Sequence, residues 1–98
     1  MSKFGELIDA RIPVLLDFFS STDEACTALN PVLRDVAATL GDSARVIKID
    51  VDKNRELAEA LRVKDLPTLM IYKNGEMKWR QSGEQEAATL VELIKEYV

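Results

Sequence analysis

The residue with the most distinctive chemistry is Cys26, the single cysteine of a chain that contains no histidine. Disulfide exchange begins when a thiolate attacks a sulfur, and a second thiol then resolves the mixed disulfide. A lone cysteine can act only as a monothiol, through a mixed disulfide with another molecule or through reversible oxidation. The neighbouring acids Asp23 and Glu24 disfavour a further negative charge, which predicts a raised pKa for the thiol. The competing interpretation is a buried cysteine that packs as a small apolar side chain.

Asp17 is the second residue whose position predicts unusual chemistry. It interrupts the apolar run Val14-Leu15-Leu16-Asp17-Phe18-Phe19, which is typical of a strand buried on both faces of a sheet. A carboxylate in such a strand is costly to ionise, so we expect either a raised pKa or a partner that stabilises the charge. The alternative is a solvated carboxylate at the end of the strand.

The composition argues against several classes of function. Ninety-eight residues, 47% of them hydrophobic, suit one domain that spans residues 1–98. The formal net charge of −4 argues against nucleic acid as a partner, because phosphate backbones need a basic face. A zinc site needs about four nitrogen or sulfur ligands, so we expect neither a metal nor a cofactor.

Cellular location and assembly are inferred from the same sequence. No apolar run approaches the roughly 18 residues of a membrane-spanning helix, and residues 1–7 lack a charged-then-apolar signal region. An unpaired thiol suits a reducing compartment. We therefore expect a cytoplasmic monomer that binds a protein or peptide client and does not contact membranes.

Hydrophobic periodicity predicts eight elements in the order α-β-α-β-α-β-β-α. Helices are expected over residues 3–10, from a capping box of Ser21 and Glu24 to Gly41, around Leu57 to Leu61, and from Ala87 to Val98. Strands are expected over residues 14–19, 45–51, 68–73 and 76–82, the last two joined by the hairpin signal Asn74-Gly75. The first two strands should be parallel, because a helix connects them. We therefore predict an α/β fold with helices on both faces of a mixed four-stranded sheet and strand 14–19 at its centre.

This order of elements, together with several motifs, resembles the thioredoxin family. The segment Pro13 to Phe19 is similar to the strand that leads to the thioredoxin active site, including its acid. The resemblance covers essentially the whole chain. The other matching motifs are Pro31, Lys48 and Asp50, the cis-proline motif Leu66-Pro67-Thr68, the hairpin turn Lys73-Asn74-Gly75-Glu76, and Gly83. The resemblance implies a thioredoxin-like fold and a place in cell redox homeostasis.

The active-site motif is where the chain departs from the family. Thr22-Asp23-Glu24-Ala25-Cys26 stands where thioredoxins have Trp-Cys-Gly-Pro-Cys, so Asp23 replaces the attacking cysteine and Cys26 keeps the resolving position. Asp23 cannot form a bond to sulfur. We expect it to stabilise the start of the helix, with mimicry of a thiolate charge as the alternative. The resemblance further implies that Asp17 and Lys48 handle the proton of Cys26.

The first functional hypothesis is a redox-inactive module that binds a protein or peptide segment. Its binding site is the groove formed by residues 21–26, Leu66 and Pro67, with Thr22 and Asp23 at one side and Thr68 after the proline. The resemblance implies that the backbone before Pro67 pairs with an extended client, which is recognition by strand addition. The alternative for Pro67 is a purely structural role in shaping its loop.

Two other hypotheses remain open. A monothiol oxidoreductase or redox sensor would act through Cys26, with Asp17 as the proton acceptor. Alternatively, Asp23 is a drifted or engineered replacement in an otherwise ordinary thioredoxin. None of the three predicts dithiol–disulfide exchange by the chain as it stands, because only one thiol is present.

Overall fold

The computed structural model describes residues 3–98, so Met1 and Ser2 of the expected domain lie outside the described residues. Within that range the elements follow the predicted order. The helices are α1 (Lys3–Ile8), α2 (Glu24–Leu40), α3 (Arg55–Ala60) and α4 (Ala87–Lys95), with a short 3₁₀ turn over Gly41–Ser43. The strands are β1 (Val14–Phe19), β2 (Arg45–Asp50), β3 (Thr68–Lys73) and β4 (Glu76–Ser82).

The four strands form one mixed sheet in the order β2-β1-β3-β4. Strand β1 is parallel to β2 and antiparallel to β3, and β3 is antiparallel to β4. The first five residues of β1 are buried, because neighbouring strands flank it and helices cover both of its faces. The predicted fold class and the interior position of strand 14–19 are therefore confirmed.

The core lies in two layers, one on each face of the sheet. Because side chains alternate along a strand, Leu15 faces one layer while Leu16 and Phe18 face the other. Leu15 packs with residues of α2 and α4, whose buried members are Leu29, Leu33, Val36, Leu40, Leu90 and Ile94. Leu16 and Phe18 pack with residues of α1 and α3, which include Phe4, Ile8 and Leu57. Helices therefore cover both faces, as predicted.

The β3–β4 hairpin turns at the predicted dipeptide. Asn74 and Gly75 have φ values of 53° and 80°, as a two-residue turn of type I′ requires. The turn also determines where α1 ends. The N–H groups of Asn74 and Gly75 donate to the carbonyls of Ala10 (2.8 Å) and Ile8 (2.9 Å), which are therefore occupied by the hairpin. The helix stops at Ile8, two residues before the predicted end.

Two other predicted helix boundaries are wrong. The capping box of Ser21 and Glu24 does not form, because Asp23 is the N-cap of α2 and its side chain accepts a hydrogen bond from the Cys26 N–H. Helix α4 ends at Lys95, and Val98, predicted to lie on its apolar face, is 62% exposed. No helix among the described residues is both long enough and apolar enough to cross a membrane.

Candidate functional site

Four loops meet at one end of the sheet. The parallel strands β1 and β2 end side by side, with Phe19 opposite Asp50. Strand β3 begins at the same end, because Thr68 lies opposite Phe18. Strand β4 finishes there too, with Ser82 opposite Thr68. The loops after β1, β2 and β4 and the loop before β3 therefore share one surface, and these loops contain the residues of the predicted groove.

Cys26 lies in the first turn of α2 with its side chain buried, since only 2% of the residue is exposed. Burial raises the pKa of the thiol. A hydrogen bond with the Ser20 backbone opposes this effect, and the negative charges of Asp23 and Asp17 add to it. The thiol is therefore protonated and shielded at neutral pH, which makes it a poor nucleophile.

Asp17 is fully buried, so the alternative of a solvated carboxylate at the strand end is wrong. It lies on the same face of β1 as Leu15, beneath α2. Within residues 3–98 neither of its carboxylate oxygens has a hydrogen-bond partner. Burial raises the pKa of the carboxyl to about 6, and the positive charge of Lys48 lowers it in part. Of the two outcomes expected for a carboxyl in this strand, the structure shows the raised pKa.

Lys48 is adjacent to Asp17 in the register of β1 and β2, but its ammonium group binds elsewhere. Its Nζ donates to Oδ1 of Asn30 at 2.6 Å and lies 4.5 Å from the centre of the Phe19 ring. No ion pair with Asp17 forms among the described residues. The three positions assigned to proton handling, Asp17, Lys48 and Cys26, thus lie around the start of α2 without direct pairing of acid and base.

A cleft of about 250 Å³ opens beside the start of α2. Its lining combines hydroxyl, amide, thiol and ammonium groups with one aromatic ring, supplied by Phe19, Ser20, Ser21, Cys26, Thr27, Asn30 and Lys48. Within residues 3–98 no three side chains of the His, Cys, Asp and Glu types are grouped so that they could hold a metal ion.

Asp23 is engaged at the start of α2. Its Oδ1 accepts from the Cys26 N–H at 3.1 Å, and its carbonyl accepts from the Thr27 N–H at 3.1 Å. These bonds occupy donors that would otherwise be unpaired in the first turn of the helix. The residue that replaces the attacking cysteine therefore has a structural role as a cap.

A hydroxyl network that the sequence did not reveal ties the loop after β1 to the loop after β2. Ser20 Oγ donates to Oδ2 of Asp52 at 2.8 Å and lies 3.1 Å from Oγ1 of Thr22. Ser20 and Asp52 are 32 residues apart, so no pattern of neighbouring residues predicts the contact. The network positions Thr22, which is exposed at the place where the family has an aromatic residue.

The loop before β3 presents unpaired backbone groups. The peptide bond between Leu66 and Pro67 is cis, and the Pro67 carbonyl accepts from the Gly83 N–H at 2.8 Å. Within residues 3–98 neither the N–H nor the C=O of Leu66 has a hydrogen-bond partner, and Leu66 is half-buried. Thr68 is buried, and its hydroxyl bonds the Asp65 carbonyl and Ser82 Oγ, so that side chain holds the loop.

Comparison with known proteins gives consistent matches. Residues 1–96 match the family model called Thioredoxin. A chloroplastic thioredoxin Y of Oryza sativa is 36% identical over 95 residues, which are 96% of this chain and 56% of the rice protein. A thioredoxin-like protein of Synechocystis is 35% identical over 98 residues, covering 99% of this chain and 93% of the relative. A solved mutant thioredoxin from Halobacterium salinarum has a TM-score of 0.88 at 33% identity, covering 99% of this chain and 84% of the other.

Proposed function

Because the chain belongs to the thioredoxin family, we propose that it binds an extended protein or peptide segment in the groove and performs no dithiol–disulfide exchange. The observation that carries this proposal is the unpaired backbone of Leu66, whose N–H and C=O lack partners within residues 3–98. An extended segment can pair with both groups as an added strand. Such pairing requires no thiol.

The residues of the groove also support the proposed lack of dithiol–disulfide exchange. Dithiol–disulfide exchange needs a second thiol in the same site to resolve the mixed disulfide, and this chain contains one cysteine. Asp23 holds the position of the first thiol and is engaged as the cap of α2. The remaining thiol, Cys26, is buried and has a raised pKa.

A monothiol oxidoreductase or redox sensor acting through Cys26 is the competing function. It is favoured only by the place of Cys26 in the lining of the 250 Å³ cleft beside Lys48. The rate of Cys26 alkylation against pH, in native and in unfolded protein, separates the two functions. Groove binding predicts rapid alkylation only after unfolding or at alkaline pH. Rapid alkylation of the native protein near pH 7 would favour the monothiol function.

Client binding is tested by selecting random 12-residue peptides against the immobilised native protein and titrating a selected peptide into ¹⁵N-labelled protein. We expect the largest amide shift changes at Leu66 and Gly83, with smaller ones at Thr22. The amides of α4 near Glu96, at the opposite end of the sheet, provide the internal control. If no peptide is selected, or if the shift changes lie away from Leu66, the groove is not a client site.

The cellular setting is a further part of the proposal. We place the chain in the cytoplasm as a one-domain monomer, because an unpaired cysteine stays reduced in a reducing compartment. Two relatives are chloroplastic by name, and cell fractionation distinguishes the compartments. Sedimentation equilibrium at micromolar concentration tests the monomer.

A further inference from the structure

The surface around the groove is acidic overall, because segments 20–24 and 83–86 contain acidic and no basic side chains, whereas segment 61–67 contains Arg62 and Lys64 beside Asp65. The segments 20–24, 51–54, 61–67 and 83–86 together contain six acidic and three basic side chains. Three of the four net negative charges of the chain therefore lie in these loops. Acids occur in all four segments, and five of them are Asp23, Glu24, Asp52, Asp65 and Glu84.

These five carboxylates have no cationic partner of their own. Within residues 3–98 none of them lies within 4.0 Å of a lysine or arginine nitrogen. Glu24, Asp52, Asp65 and Glu84 are exposed, and Asp23 is half-buried. Asp52 and Asp23 make hydrogen bonds to Ser20 and to the Cys26 N–H, but these bonds leave their negative charge in place.

The acids lie on both sides of the unpaired backbone of Leu66. Asp65 is its neighbour in the chain, and Glu84 follows Gly83, whose N–H binds the carbonyl of Pro67. On the other side, Asp52 is joined through Ser20 to the loop that leads to Asp23. A segment paired with Leu66 therefore lies between loops that contain carboxylates, and the basic side chains of the same loops are Lys53, Arg62 and Lys64.

We propose that the segment bound in the groove is basic, an extended stretch of a protein with lysine or arginine on both sides of the residue that pairs with Leu66. This inference rests on the proposed function, since it assigns the chemistry of the client in the same groove. Unpaired carboxylates attract a cationic segment and repel an acidic one. The charges thus make binding selective and association faster. The backbone of Leu66 determines the register in which the bound segment pairs with the loop.

The test uses the same peptide selection and a double variant, Asp65→Asn with Glu84→Gln, whose two side chains make no hydrogen bond in the structure. We expect selected peptides to be enriched in lysine and arginine over aspartate and glutamate. The double variant should bind a selected peptide more weakly by a factor on the order of ten, because each exposed ion pair is worth up to about fivefold. Glu96→Gln, which removes a charge at the opposite end of the sheet, should change the affinity less than twofold.

The outcomes separate the two proposals. Peptides that shift the Leu66 amide but show no excess of lysine or arginine would overturn the basic client and leave groove binding intact. Basic peptides whose affinity falls equally in the double variant and in Glu96→Gln would also overturn it, because the effect would then reflect the net charge of the protein. The absence of any peptide that shifts the Leu66 amide would overturn both.

Discussion

At the scale of single residues, the buried carboxyl of Asp17 makes the stability of the fold depend on pH. Its pKa is about 6, raised by burial and partly offset by Lys48, whereas an aspartate in an unfolded chain has a pKa near 3.9. Between these values the folded protein holds a proton that the unfolded chain has released. The free energy of unfolding therefore falls as the pH rises from about 4 to about 6, and Asp17 costs stability at neutral pH.

The variant Asp17→Asn removes this titration. Relative to the variant, the wild type should lose on the order of 3 kcal/mol of unfolding free energy between pH 4 and pH 7, since one pKa unit corresponds to about 1.4 kcal/mol. Urea unfolding of both proteins at several pH values measures the difference between their unfolding free energies. The titration of the other carboxylates affects both proteins equally and cancels in this difference. Parallel stability curves would show that Asp17 is not buried with a raised pKa.

The sequence predicted that Asp17 would have either a raised pKa or a stabilising partner, but it could not choose between them. The choice depends on where the Lys48 ammonium lies. In the structure that group binds Asn30 and the ring of Phe19, both of which are distant from it in sequence. A contact between an exposed strand residue and a helix residue 18 positions away has no local pattern.

At the scale of elements, the start of α2 is stabilised by Asp23. The sequence offered two capping residues within three positions, Ser21 and Asp23, and the expected box with Glu24 selected the wrong one. The Asp23 N–H donates to the Ser20 carbonyl at 3.1 Å, so the chain makes a turn after β1 before the helix begins. This turn delays the helix and gives Asp23 the cap position.

The variant Asp23→Ala tests that role. It should lower the free energy of unfolding by about 1 kcal/mol, because the Cys26 N–H loses its acceptor. Asp23→Asn is the matched control, since it keeps an acceptor at the cap and removes only the charge. Its cost should be less than half as large in the same urea titration. Equal losses in the two variants would assign the effect to the charge of Asp23.

At the scale of the whole molecule, the strands were predictable and the contacts between loops were not. Buried strands are apolar runs, and the hairpin has its own dipeptide signal, so β1, β3 and β4 lie where the sequence placed them. The end of α1, by contrast, depends on the hairpin at Asn74 and Gly75, more than sixty residues later. The Ser20–Asp52 bond and the unpaired backbone of Leu66 likewise exist only once the sheet has brought four loops together.

The bonds that shape the loop with Leu66 are separate from those around the position of the missing thiol. The position of Asp23 lies in the loop after β1, while Leu66 lies in the loop before β3 and is supported by the bonds of Thr68 and Pro67. The bonds of Thr68 and Pro67 do not involve Cys26, which instead bonds Asp23 and the Ser20 backbone in the loop after β1. The loop before β3 therefore does not depend on the thiol for its shape.

Whether the protein lacks dithiol–disulfide exchange is tested first by the turnover of a peptide disulfide by the wild type, with a small dithiol as the final reductant and the Asp23→Cys variant alongside. We expect the wild type to add nothing to the uncatalysed rate, because its one thiol is buried and protonated at neutral pH and so does not attack the disulfide. The variant restores two thiols at the spacing of the family motif and should exceed the uncatalysed rate. Catalytic turnover by the wild type would contradict the account.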